Sequence, residues 1–209
     1  MSNIEPIMKG AILFTDVKGS SKLWAKHKDS MLSTLTAHER IVRKCVKAFC
    51  GFLVKSIGDA FMVKFKSMEP AILCAIAIQK LLQKHPVQFK GSTDKIELRI
   101  GIAYGDLESK TSIIQNHKLK DFYGLTVNLA SRMESKVSPV NGLAFAANGV
   151  SSTLLKKISQ HCHIKEVKFT YHCDHSISPV RSERLIQCRQ VDELHLDKKE
   201  RVVYSCLLI

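Results

Sequence analysis

Two apolar runs in this chain carry a carboxylate at a strand end. The first, Gly10-Ala11-Ile12-Leu13-Phe14-Thr15-Asp16-Val17, reads as a buried strand with Asp16 at its C-terminal tip. A carboxylate in such a place must be solvated, paired or bound to a cation. The second, Phe52 to Phe65, reads as a β-hairpin whose two apolar strands flank Gly58-Asp59. Taken alone, Gly-Asp is ordinary turn chemistry. If the hairpin lies beside the first strand, the two acids converge, and neighbouring carboxylates repel unless a cation sits between them. Two hard oxygen ligands with positions left open for waters and phosphates suit Mg²⁺ or Mn²⁺.

A third stretch, Asp121-Phe122-Tyr123-Gly124-Leu125-Thr126-Val127-Asn128-Leu129-Ala130-Ser131-Arg132, reads as a loop feeding a helix. Gly124 supplies backbone freedom at the turn. Val127, Ala130 and Met133 recur at helical spacing. Asn128 and Arg132 lie four apart and share one helix face. An amide above a planar, permanently charged fork suits a ribose and a phosphate, although a solvated face would also carry such a pair. Lys18-Gly19-Ser20-Ser21 is a small-residue loop that could open a helix at Ser20 or Ser21, with backbone N–H groups able to receive phosphate.

The remaining elements must hold these groups in place. Residues 31–50 carry Leu32, Leu35, Ile41, Val42, Cys45, Val46 and Phe49 at helical spacing, an amphipathic helix that Gly51 is expected to stop. A second helix is expected from Met68 to Gln83, with a core stripe of Ala71, Ile72, Ala75, Ile78 and Leu82, ended by His85-Pro86. Ile96 to Gly105 alternates as a half-buried strand, and residues 108–120 read as a polar, irregular arm. Gly142 to Ala147 is a further buried strand, and Val150 to Ser159 a short helix.

The 209 residues favour one domain with a sizeable core. The net charge of +13 points to an anionic partner. No aromatic-rich basic stripe of the kind that stacks bases is present, so a small phosphorylated ligand fits better than a polymer. No apolar run approaches the ~20 residues that span a bilayer. Met1 to Lys9 has no signal-peptide apolar region. Seven cysteines, an odd number, sit mostly in apolar settings such as Cys45, Cys50, Cys74 and Cys206, which fits reduced thiols and a cytoplasmic location. The tail holds His161, Cys162, His163, His172, Cys173 and His175. Their spacing matches no standard zinc finger, and the cluster is read as mostly incidental.

Four segments, in order, resemble the catalytic domain of class III nucleotide cyclases. They are Phe14-Thr15-Asp16-Val17 with Gly19-Ser20, Lys55-Ser56-Ile57-Gly58-Asp59, Arg99-Ile100-Gly101-Ile102, and Asp121 to Arg132. The resemblance implies a ferredoxin-like α+β domain, a mostly antiparallel sheet with helices packed on one face. Residues 1–160 are expected to form the catalytic core. Residues 161–209 are expected to complete the same domain with a divergent His/Cys-containing insertion.

The resemblance also implies roles. Asp16, Asp59 and the carbonyl of Val17 match the ligands of two Mg²⁺ or Mn²⁺ ions. Lys55 and Asp121 match the positions that read the base, and a lysine donor with an aspartate acceptor suits the N1 and N6-amino edge of adenine. Asn128 matches the residue that orients the ribose, and Arg132 the one that stabilises the transition state. For the family's triphosphate-binding lysine, Lys165, Lys168, Lys198 and Lys199 compete. The implied reaction is attack of the ribose 3′-oxygen of ATP on the α-phosphorus, with pyrophosphate leaving, in a homodimer whose active sites are shared between subunits. The alternatives are a cyclase of the same fold using CTP, UTP or GTP, and a catalytically silent nucleotide-binding scaffold. A nucleic-acid-binding role rests on charge alone, and a membrane partner is not expected.

Overall fold

The computed structural model describes residues 3–114, 117–136, 142–146, 149–171, 183–184 and 199–208. The elements are β1 (Asn3–Val17), α1 (Ser20–Lys26), α2 (Lys28–Ala48), β2 (Phe52–Ile57), β3 (Ala60–Phe65), α3 (Met68–Lys84), β4 (Leu98–Ile114), β5 (His117–Tyr123), α4 (Leu125–Lys136), β6 (Leu143–Ala146), α5 (Ser152–Ser159), β7 (Cys162–Tyr171), β8 (Glu183–Arg184) and β9 (Lys199–Leu208). They build one sheet in the order β2-β3-β1-β4-β6-β9-β7-β8, with β5 paired to the outer part of β4. β4 and β6 run parallel, and the other pairs are antiparallel. The α+β class and the mostly antiparallel sheet are as expected.

β1 is the centre of the molecule. Ala11, Ile12, Leu13 and Thr15 are fully buried in near succession. Successive side chains on a strand point to opposite faces, so both faces of β1 are covered. α3 and α4 each pack against β1 and β4, and α2 packs on α3. The α3 stripe Ala71, Ile72, Ala75, Ile78 and Leu82 is buried as expected. Among the described residues no helix is long and apolar enough to cross a membrane.

Three expectations are corrected. The α2 stripe runs through Met31, Thr34, His38, Val42 and Cys45, all buried, whereas Leu32 is 67 % exposed. Leu32 lies one residue, about 100°, round the helix from Met31. The helix also ends at Ala48, and Cys50 rather than Gly51 takes the left-handed turn (φ 55°), leaving its thiol exposed. Gly51 donates its N–H to the Val46 carbonyl at 2.8 Å, and a Cβ there would meet the Phe65 ring at 2.6 Å. Lastly, residues 108–114 and 117–120 are not irregular. β4 continues to Ile114 and folds back through β5, pairing Glu108 with Tyr123 and Lys110 with Asp121. Both strands of this arm are held by backbone hydrogen bonds, which do not require an apolar face, so its polar sequence hid it.

His38 is the unusual core residue. It is 1 % exposed, its Nε2 has no hydrogen-bond partner among the described residues, and its ring lies 5.6 Å from that of Phe61. Burial pushes its pKa down to about 4, against a small opposing pull from Glu39. The folded state therefore resists a proton that the unfolded chain accepts below pH 6.5. Stability is fully present above pH 6.5 and is lost as pH falls toward 4, by about 3 kcal/mol in all. Chemical denaturation of wild type and His38→Leu at pH 7.5 and pH 5 should show the variant gaining on wild type at the lower pH. A pH-independent difference would contradict this account of His38.

Candidate active site

The β1–β3 register places the two acids at one end of the sheet. Thr15 pairs with Phe61, whose N–H donates to Thr15 Oγ1 at 3.1 Å. Asp16 is one residue beyond this pair on β1, and Asp59 lies in the tight turn just before β3. Asp59 Oδ2 is buried with no hydrogen-bond partner among the described residues. A buried carboxylate oxygen without a donor is costly unless a cation or donor completes it. Val17 pairs with Leu98, and the N–H of Lys18 donates to the Glu97 carbonyl at 2.8 Å, so the chain leaves the sheet just after Val17. α1 then begins at Ser20, with Gly19 (φ 67°) in the capping position and no serine side chain capping it.

Sequence reading missed two charged neighbours of this end. Arg99 is the cross-strand partner of Asp16, and its Nη2 donates to Asp16 Oδ2. Its Nε lies 3.1 Å from Glu134 Oε1 on α4, an ion pair by distance that is not aligned as a hydrogen bond. Glu134 is only 12 % exposed. Its pKa is pushed up to about 7, first by burial and then by Asp16, with Asp59 adding and Arg99 opposing. Asp16 and Glu134 thus share the Arg99 guanidinium. Yet no three His, Cys, Asp or Glu side chains among the described residues group as a metal cage. Two carboxylates with one orphaned oxygen thus fit a hard divalent cation that completes its shell with substrate phosphates and water. A signal for Arg99 did exist: it is a cation set inside an otherwise apolar alternation, Leu98-Arg99-Ile100.

α4 lies almost in contact with the β4 backbone. A Cβ on Gly101 would stand 2.2 Å from the Glu134 nitrogen and 2.3 Å from the Ala130 oxygen, and one on Gly105 would stand 2.6 Å from Thr126 Oγ1. Thr126 donates that hydroxyl to the Asp106 carbonyl at 2.8 Å, fixing the start of the helix. Ala130 and Met133 are buried against the sheet, while Asn128 is exposed and Arg132 partly exposed. Neither the Asn128 nor the Arg132 side chain has a hydrogen bond or ion pair among the described residues.

Lys55 of β2 and Asp121 of β5 meet across the sheet edge, Nζ to Oδ2 at 2.5 Å. Asp121 Oδ1 also accepts the Phe122 N–H at 2.8 Å, which orients the carboxylate. Phe122 is buried beneath the pair, edge-on to Phe52 at 6.3 Å between ring centroids. The lysine and aspartate side chains are 40 % and 25 % exposed, so the ion pair contributes only about 0–1 kcal/mol and yields easily to a ligand.

Of the candidate phosphate lysines, Lys165 and Lys168 lie in β7 opposite Ser205 and Val202, and Lys199 lies in β9 opposite Tyr171. Lys198 lies outside the described residues, as do His172, Cys173 and His175. His161 Nδ1 is 3.3 Å from Lys80 Nζ, and Cys162 and His163 lie in β7.

Residues 3–163 match the family model "Adenylate and Guanylate cyclase catalytic domain", and the chain belongs to that family. Over 161 residues it is 32 % identical to the adenylate cyclase of Schizosaccharomyces pombe, a match covering 68 % of this chain and 9 % of that protein. Over 81 residues it is 40 % identical to receptor-type adenylate cyclase B of Leishmania donovani, covering 39 % of this chain and 6 % of that protein. The chain thus spans less than a tenth of the length of these relatives. Among solved structures, the guanylyl cyclase Cya2 matches with a TM-score of 0.70 at 17 % identity, over 98 % of this chain and 94 % of that one. The adenylyl cyclase CyaB of P. aeruginosa matches with a TM-score of 0.65 at 18 % identity, over 97 % and 96 %. At these identities the structural likeness speaks to the fold.

Proposed function

We propose that this chain is an adenylate cyclase: it converts ATP to 3′,5′-cyclic AMP and pyrophosphate. The observation that carries the reading is the orphaned Asp59 oxygen beside Asp16 at the sheet end, in a chain that also pairs Lys55 with Asp121. The fungal and trypanosomatid relatives named as adenylate cyclases support ATP. A match to a rhodopsin-guanylyl cyclase core of converted specificity, in complex with ATPαS, shows that the fold holds an adenine nucleotide in that protein.

Asp16, Asp59 and the Val17 carbonyl would hold Mg²⁺ or Mn²⁺, which when bound neutralises the triphosphate and acidifies the ribose 3′-hydroxyl. Lys55 donates to adenine N1 and Asp121 accepts from the N6-amino group. Asn128 orients the ribose. The 3′-oxygen–phosphorus bond forms as the α-phosphorus–oxygen bond to pyrophosphate breaks, and the hydroxyl proton leaves to solvent. Arg132 bonds the charge that grows on the phosphoryl oxygens. Lys165, Lys168, Lys198 and Lys199 remain the candidates for a further phosphate contact.

The free face of α4 carries Asn128 and Arg132, whereas Glu134 turns toward the chain's own acids. This division supports a homodimer in which one chain supplies the cations and its partner the Asn–Arg pair. A fungal guanylyl cyclase domain of similar fold is described as a non-canonical dimer. The free thiols of Cys45, Cys50 and Cys74 suit the cytosol, where ATP is available.

Base reading is tested by Lys55→Glu with Asp121→Cys, a pair typical of guanylate-forming members. ATP turnover should fall at least about tenfold relative to GTP turnover, because the adenine edge then faces mismatched groups. An unchanged preference among the four nucleoside triphosphates would remove Lys55 and Asp121 from the base pocket.

A further inference from the structure

We infer that Glu134 is a positioning residue: by sharing the Arg99 guanidinium, it keeps Asp16 available to a divalent cation. The inference rests on the cyclase reading of Asp16 and Asp59 and extends it to a residue outside the implied ligand set.

Arg99 sits between two acids. It bonds Asp16 through Nη2 and faces Glu134 Oε1 through Nε at 3.1 Å. It is the cross-strand neighbour of Asp16 on β4, so its backbone cannot withdraw from the site. Glu134 is equally fixed, because Gly101 lets α4 settle onto β4 at the Glu134 backbone itself. A side chain 12 % exposed, facing the Arg99 guanidinium, has no solvation reason to be a glutamate.

Arg99 gives it one. When a divalent cation takes Asp16, the guanidinium has a second carboxylate, Glu134, to turn to. Without Glu134, Arg99 has only Asp16 to pair with. A cation must then displace the guanidinium outright, rather than let it lean onto the second acid. Glu134 does not group with the aspartates as a metal cage, so it acts through Arg99 and not as a ligand.

The same helix presents Asn128 and Arg132 on its opposite face. The Glu134–Arg99–Asp16 bridge therefore also fixes the angle at which the chain offers that pair to its partner's substrate.

The test is nucleotide-free Mn²⁺ binding, read from the electron paramagnetic resonance signal of free Mn²⁺. It uses the full chain as wild type, Asp59→Ala, Glu134→Gln, Arg99→Gln and the Glu134→Gln/Arg99→Gln double variant, with thermal unfolding to confirm folding. Glu134→Gln should weaken Mn²⁺ binding about tenfold, in line with residues that orient metal ligands. In the Arg99→Gln background the same change should cost far less, because the residue it works through is gone. Glu134→Asp, which keeps the charge, should restore most of the affinity, and it carries the test if Glu134→Gln does not fold. Wild-type affinity in a folded Glu134→Gln protein would overturn the inference, as would an equal loss with and without Arg99. Mn²⁺ binding that is absent from wild type, or untouched by Asp59→Ala, would instead overturn the metal-site reading beneath it.

Discussion

Arg132→Ala should fold normally and lose about 10²–10³-fold in turnover, the usual loss when a preorganised donor to transition-state charge is removed. Because Arg132 is partly exposed and has no side-chain partner among the described residues, its loss should leave the unfolding temperature within error of wild type. Substrate affinity should change less than turnover, since the charge it meets develops only in the transition state. A sharper form of the prediction uses two dead proteins. Asp59→Ala removes a cation ligand, and Arg132→Ala removes the transition-state cation. In a shared-site homodimer these defects fall on opposite sides of each site. A mixed dimer then has one site with both defects and one with neither. Random reassortment makes about half the dimers mixed, so mixing the two proteins should restore about a quarter of wild-type activity. If the mixture stays as inactive as its components although mixed dimers form, both residues serve one site within one chain.

The second large effect is expected at a contact between backbones. Gly101→Ala puts a methyl carbon 2.2 Å from the Glu134 nitrogen and 2.3 Å from the Ala130 oxygen. Both are helix backbone atoms, so no side chain can swing aside. α4 must lift by about an ångström, and displacement on that scale costs on the order of 100-fold in a positioned reaction. Overpacking should also cost about 1–3 kcal/mol of stability, visible as a lower unfolding temperature. Gly105→Ala meets the Thr126 hydroxyl, a side-chain atom, and should be milder. Equal activity in wild type and Gly101→Ala would show that the helix does not need this seat.

These two variants mark what could be read from the sequence and what could not. The turn at Gly58-Asp59, the acid at the tip of β1 and the four-residue spacing of Asn128 and Arg132 are local features, and local chemistry announces them. The pairing of Lys55 with Asp121 came from resemblance, and the structure brings the two side chains together across β2 and β5. Glu134 was invisible for a physical reason. It lies two residues after Arg132 in an exposed-looking stretch, and only the close seating of α4 on β4 turns it toward Asp16. The β4–β5 arm was misread because its strands are held largely by backbone pairing, with few buried side chains such as Ser109 and Phe122. His38 was missed because a histidine in an apolar stripe reads as polar, while the fold buries it. In each case the missing information was a tertiary contact rather than a misjudged propensity.

The most direct test of the account is product identification. Purified protein is incubated separately with ATP, GTP, CTP and UTP in Mg²⁺ or Mn²⁺, with Asp59→Ala alongside, and the nucleotides formed are identified by mass spectrometry. The account predicts 3′,5′-cyclic AMP from ATP with wild type and none with Asp59→Ala. A cyclic pyrimidine nucleotide or cyclic GMP as the main product would contradict the assignment of Lys55 and Asp121, and cyclic AMP from both proteins would contradict the role of Asp59. No cyclic product from any triphosphate would contradict the central claim that this chain is itself a cyclase.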